Sequence, residues 1–131
     1  MKAIVQEDLM GCGIACVACA LNCSYGDAKR LFNAKYADNR GYFCRDIVKA
    51  LNKNRLRYSF SKVTENNKNK VNGIGTIVFI RRNKKYPQGH YLIKTRKGFM
   101  NSWINFPEIT HASAGFQKRL PGKAEWIIYS I

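Results

Sequence analysis

Eight consecutive apolar residues, Ile14 to Leu21, follow a Gly-Cys-Gly turn near the start of the chain and limit the folds open to it. The run IACVACAL carries no polar stripe, so as a helix it must be covered on every side and lie inside the fold. Gly11 and Gly13 let the backbone turn tightly, which sets Cys12 at or just before the N-terminus of that helix. Unpaired N–H groups and the helix dipole favour an anion there, so a thiolate at Cys12 is expected to have a lowered pKa and to act as a nucleophile. Gln6 stands six residues before Cys12, one short loop upstream. Its amide N–H, with the backbone N–H of Cys12, would form a two-donor oxyanion hole.

Helical signals occupy the first part of the chain. The buried helix is expected over about Cys12 to Asn22, and Ser24 is a good N-cap for a second one from Tyr25 to about Phe32. Asn33 to Gly41 has no period and reads as a loop. A third helix follows at about Cys44 to Asn54, with Ile47, Val48, Leu51 and Leu56 toward its apolar side. From Arg57 the pattern changes to strands. Tyr58 to Val63 alternates, with Tyr58, Phe60 and Val63 as core contacts. Thr64 to Gly73 is a polar loop, and Thr76 to Ile80 is a continuous apolar run of central-strand type. Pro87-Gln88-Gly89 breaks the chain before a strand from His90 to Lys94. A turn at Thr95 to Gly98 returns it as Phe99 to Trp103, a hairpin by pattern. A less regular segment with Pro107 and Pro121 leads to a last strand, Glu125 to Ser130. The expected class is α+β: N-terminal helices, the first carrying Cys12, packed on a mostly antiparallel sheet in one domain spanning residues 1–131.

A cysteine nucleophile needs a base and a group that orients the base. With the hairpin turn centred between Arg96 and Lys97, His90 lies opposite Trp103, and Asn101 is one pleat repeat away on the same face. Such diagonal partners stand about 7–8 Å apart, within side-chain reach. Asn101 Oδ1 could then accept from one ring nitrogen of His90 while the other faces Cys12. Asn105 keeps the same parity one repeat further on and competes as the orienter. His111 follows in an irregular stretch as the weaker candidate base.

Gln-x5-Cys-Gly-x-Ala-Cys, then Gly-His-Tyr-Leu-Ile on a strand, then Asn-Ser-Trp at the end of the next, resembles the papain-like cysteine peptidase superfamily. The nearest branch is the bacteriocin-processing peptidases that cut leader peptides after a double glycine, commonly fused to an ABC exporter. The resemblance runs from Gln6 to the end of the chain. It implies Gln6 as oxyanion donor, Cys12 as nucleophile, His90 as general base, Asn101 as orienter, and a peptide or leader peptide as substrate. That branch usually has Asp before the nucleophile, where this chain has Gly11. It usually has Asp-Pro at the orienter, where this chain has Asn101-Ser102. Asn is the usual orienter elsewhere in the superfamily.

Charge bears on the partner. The net +15 is carried by residues 29–131, because residues 1–28 hold one lysine against three acids. Such a field steers toward an acidic partner: an acidic peptide, an anionic membrane surface or nucleic acid. Arg81, Arg82, Lys84 and Lys85, with Lys94, Arg96 and Lys97, flank His90 on both strands. Four of the five cysteines crowd between Cys12 and Cys23, a poor disulfide framework, so reduced thiols in a reducing compartment are expected. Cys12, Cys16, Cys19 and Cys23 share one helical face, but four thiolates spread over about 16 Å do not suit one ion. Cys16, Cys19 and Cys23 read as packing residues, and the chemistry calls for no metal or cofactor. With no basic segment before the short apolar run, and no stretch of about 20 apolar residues, the expected location is cytoplasmic. Two other classes remain open. One is a deamidase or acyl-transferring effector using the same residues. The other is a non-catalytic basic domain binding nucleic acid or an acidic protein, including a degenerate peptidase fold that binds leader peptides without cutting them.

Overall fold

The computed structural model describes residues 1–108 and 110–131. Its helices are α1 (Cys12–Leu21), α2 (Tyr25–Lys29) and α3 (Cys44–Lys53), and its strands are β1 (Tyr58–Lys62), β2 (Ile77–Ile80), β3 (His90–Thr95), β4 (Gly98–Asn101), β5 (Gly115–Gln117) and β6 (Ala124–Ser130). The six strands form one antiparallel sheet in the order β1-β6-β2-β3-β4-β5.

The apolar octet has the predicted consequence. Every residue of α1 from Gly13 to Cys19 is buried, because the helix packs against β3, α2 and α3 at once. Ser24 caps α2 as expected, its Oγ accepting from the Asp27 N–H at 3.1 Å. The helix ends at Lys29, short of Phe32, and the chain continues through turns closed by the Leu31 and Phe32 N–H groups. In α3, Asp46 bonds back to the Phe43 N–H at 2.8 Å and so closes the first turn, while Ile47, Ala50 and Leu51 enter the core.

β2 lies third in the sheet and is apolar at all four positions because both of its faces are covered. Ile77 joins Ile93, Met100 and Ile128 under the helices. Val78 and Ile80 join Leu92, Phe99, Ile127 and Tyr86 on the opposite face, closed by side chains such as Val63, Val71, Phe106 and Leu120 from the connecting segments. Tyr58 is buried as expected, whereas Phe60 is 39% exposed and lines a groove. Among the described residues no helix is long and apolar enough to cross a membrane.

Candidate active site

The hairpin register is the predicted one: Thr95 pairs with Gly98, Lys94 with Phe99 and Ile93 with Met100. His90 and Asn101 are therefore diagonal neighbours on one face, and His90 Nε2 lies 2.8 Å from Asn101 Oδ1. The strand ends at Asn101 rather than Trp103, because Asn101 Oδ1 also accepts from the Trp103 N–H at 3.0 Å and turns the chain. Asn101 Nδ2 donates to Tyr86 Oη at 2.9 Å and to Gln117 Oε1 at 2.7 Å. The Tyr86 ring stacks flat on the imidazole, 4.3 Å between centroids and 7° between planes.

Cys12 reaches the same place from α1. A narrow cleft of about 50 Å³ is lined by Gln6, Leu9, Cys12, Gly89, His90, Trp103 and neighbouring side chains. Gly89 before His90 has φ +76°, and a Cβ there would meet Phe79 and the Ile80 carbonyl, so only glycine delivers the strand at this point. The loop ahead of Cys12 is held at three points. The Gln6 N–H bonds the Ser102 carbonyl at 3.2 Å, the Met10 N–H bonds the Ala37 carbonyl at 2.8 Å, and the Asp8 carboxylate takes Tyr25 Oη at 2.6 Å and Lys29 Nζ at 3.0 Å. Gly11 leaves room for Tyr25, whose hydroxyl fills the space a Cβ would need.

Two expectations about this geometry change. The Cys12 thiol is not lowered: burial pushes it up to about 11, and the N–H groups of Tyr91, Gly13 and Cys12 offset only part of that. Cys12 Sγ accepts from the Tyr91 N–H at 3.5 Å and has no hydrogen bond to His90 among the described residues. Burial pushes His90 in the other direction, down to about 4. The bond to Asn101 opposes that shift, and Lys85 adds to it. Thiol and imidazole are both neutral at pH 7. Gln6 is buried at the cleft, but both of its N–H groups are engaged, Nε2 donating to the Asp8 and Leu9 carbonyls at 2.9 and 3.1 Å. Its Oε1 accepts from Ser102 Oγ at 2.8 Å.

The competitors lie elsewhere. Asn105 spends its amide on the His111 carbonyl and the Ser113 N–H, within its own loop, and His111 is exposed. Cys16 and Cys19 are core residues, Cys23 packs against the core, and all five cysteines are free. Sequence reasoning did not find Tyr86, Gln117 or the Ser102 contact to Gln6. Only the Asn-Ser-Trp string marked any of them.

A groove of about 780 Å³ adjoins this cleft and shares Met10, Cys12, Gln88 and Gly89 with it. Phe43, Phe60, Phe79, Tyr91 and Trp126 make its apolar lining, and Arg40, Arg45, Arg81 and Arg82 stand along it with a single acid, Glu125. Arg40 pairs with Asp46 at 3.1 Å and Arg81 with Glu125 at 3.7 Å; Arg45 and Arg82 make no ion pair among the described residues. The basic cluster seen in the sequence is thus divided. Arg81 and Arg82 face the groove, while Lys94 and Lys97 lie over the rings of Phe99 and Phe116.

No family model and no curated protein matches the sequence. Among solved structures, the chain is similar to the peptidase domain of Streptococcus ComA, a bifunctional ABC transporter involved in a quorum-sensing pathway. The two share 14% sequence identity, and the match covers 98% of this chain and 96% of that one at a TM-score of 0.59. The fold is the α+β papain-like fold of that peptidase domain.

Proposed function

We propose that this chain is a cysteine endopeptidase with Cys12 as nucleophile, His90 as general base, Asn101 as its orienter and Gln6 as an oxyanion donor. One observation carries the reading: Gln6, Cys12 and His90 line a single cleft, with His90 held through Nε2 so that Nδ1 is left for the sulfur. Because thiol and imidazole start neutral, the reaction begins by general-base catalysis rather than from a stored thiolate. The Sγ proton passes to His90 Nδ1 as sulfur attacks the scissile carbonyl. The developing oxyanion meets the backbone N–H of Cys12 and one Nε2–H of Gln6. A charged oxygen outcompetes the neutral Asp8 or Leu9 carbonyl that holds this hydrogen in the free domain. His90 then protonates the leaving amine. Water, deprotonated by His90, opens the thioester and restores the thiol.

The groove supports a peptide substrate with apolar side chains for its aromatic lining and acidic ones for Arg45, Arg81 and Arg82. A leader peptide ending in Gly-Gly is the substrate class that the motif resemblance and the shared fold favour. The test incubates the chain with an acidic amphipathic peptide that continues past Gly-Gly, read by mass spectrometry beside Cys12→Ala and His90→Gln. Cleavage after Gly-Gly, lost in both variants, is the expected result. A one-dalton gain without scission would replace it with deamidation.

A second reading has two observations in its favour. The neutral Cys12–His90 pair and the engaged Gln6 amide also fit a domain that binds leader peptides without cutting them. Binding that survives in Cys12→Ala, with no product from the unaltered chain, would select it.

A further inference from the structure

Asparagine, unlike aspartate, has two chemically different ends, so an orienting Asn works only one way round. With Oδ1 toward His90, the ring proton sits on Nε2 and Nδ1 is free to act as a base. Reversed, the amide would present N–H to the ring, and the proton would move to Nδ1 and block it. We propose that Gln117 and Tyr86 are positioning residues that fix the direction of the Asn101 amide, and through it the tautomer of His90. The proposal rests on the reading of His90 as general base; the location of the ring proton can be measured independently of that.

All four hydrogen-bonding positions of the Asn101 side chain are filled. Oδ1 takes His90 Nε2 at 2.8 Å and the Trp103 N–H at 3.0 Å. Nδ2 gives to Tyr86 Oη at 2.9 Å and to Gln117 Oε1 at 2.7 Å. Neither of those two acceptors chooses its own direction. Tyr86 spends its hydroxyl proton on the Trp103 carbonyl at 2.9 Å, so toward Asn101 it can only accept. Gln117 donates Nε2 to the Arg119 carbonyl at 2.9 Å, which leaves Oε1 to face Asn101. A main-chain carbonyl has no other way round to stand. The Trp103 N–H, which can only donate, holds the Oδ1 end directly, and the carbonyls of Trp103 and Arg119 set the Nδ2 end through Tyr86 and Gln117. An aspartate with two equivalent oxygens would need neither residue, so the requirement follows from having Asn at position 101.

The experiment uses the full chain with ¹⁵N-labelled histidine, His111→Gln supplying the assignment. Long-range ¹H–¹⁵N spectra at pH 7.5 should place the His90 proton on Nε2. Gln117→Met, of equal length but without an acceptor, should bring in a fraction of the Nδ1–H form, limited by the hold that Tyr86 and the Trp103 N–H keep on the amide. It should also lower kcat on a cleaved peptide in proportion to the Nε2–H fraction that is lost, with KM unchanged. Gln117→Glu keeps an acceptor and should restore both readings. In an Asn101→Asp background, where either carboxylate oxygen takes the ring N–H, Gln117→Met should leave the proton on Nε2 and should not lower kcat further. A pure Nε2–H signal in both Gln117→Met and the Tyr86→Phe/Gln117→Met double variant would overturn the proposal, as would an equal loss of kcat in the Asn101→Asp background. If no peptide is cleaved by any form, the peptidase reading fails while the spectra still decide the direction of the amide.

Discussion

Acid should unfold this protein partly through one side chain, and the size of the effect follows from where His90 sits. The imidazole is 4% exposed, sealed by the Tyr86 ring, and its pKa falls from the ordinary 6.5 to about 4. Folding is coupled to that difference. Below pH 6.5 the unfolded chain takes up a proton that the folded chain refuses, so stability is fully present above 6.5 and is lost as pH falls toward 4. At about 1.4 kcal/mol per pH unit, the whole interval amounts to roughly 3 kcal/mol, of which about 2.5 is gone by pH 4.5. His90→Gln keeps an N–H for Asn101 but does not titrate, so the difference between the two proteins isolates the histidine from the general repulsion of a +15 chain. Urea unfolding of both at pH 7.5 and 4.5 is the assay. With an m of about 2 kcal/mol/M, the midpoint of the unaltered protein should drop by roughly 1.2 M more than that of the variant. Parallel shifts in the two proteins would mean that His90 is neither sealed nor held neutral, and the assignment of its environment would be refuted.

Cys12 in the free domain should be alkylated by iodoacetamide about tenfold faster for each pH unit from 7 to 10, as a thiol of pKa about 11 requires. A plateau over that range, read by peptide mapping, would mean a preformed thiolate–imidazolium pair. For a cleaved peptide, the acid limb of kcat/KM should lie near pH 4 rather than 6.5, since that ratio reports the free enzyme. Arg81→Glu with Arg82→Glu should raise KM for an acidic peptide at least tenfold and flatten its salt dependence, with kcat little changed; an unchanged KM in steady-state kinetics would remove the groove from substrate binding. Gly11→Asp drives a side chain into Tyr25 and should lower stability by about 2 kcal/mol in urea unfolding.

What the sequence disclosed divides along a physical line. Periodicity and parity act over a few residues and need no knowledge of the rest of the chain, so the buried α1, the Ser24 cap, the central character of β2 and the His90–Asn101 diagonal were all legible. Elements whose limits are set by tertiary contacts were not. Leu31 and Phe32 keep an apolar pattern but leave the helix to pack against the core as turns. β5 has three half-exposed residues without alternation, and it exists only because Phe99, Met100 and Asn101 offer it an edge. Gln117, which that short strand carries to Asn101, was invisible for the same reason.

The electrostatic expectation failed for a related cause. A helix N-terminus is a local feature, and the sequence located it correctly at Cys12. The burial that opposes it comes from the whole fold, and at this cleft burial prevails for the sulfur and for the imidazole alike. The two shifts point in opposite directions on the pH scale and have one effect, which is to keep both partners uncharged. Lys85 adds to this by disfavouring the imidazolium. A negative charge brought near the pair by a bound substrate would favour the imidazolium but oppose the thiolate, so it gives no net drive to proton transfer from Cys12 to His90.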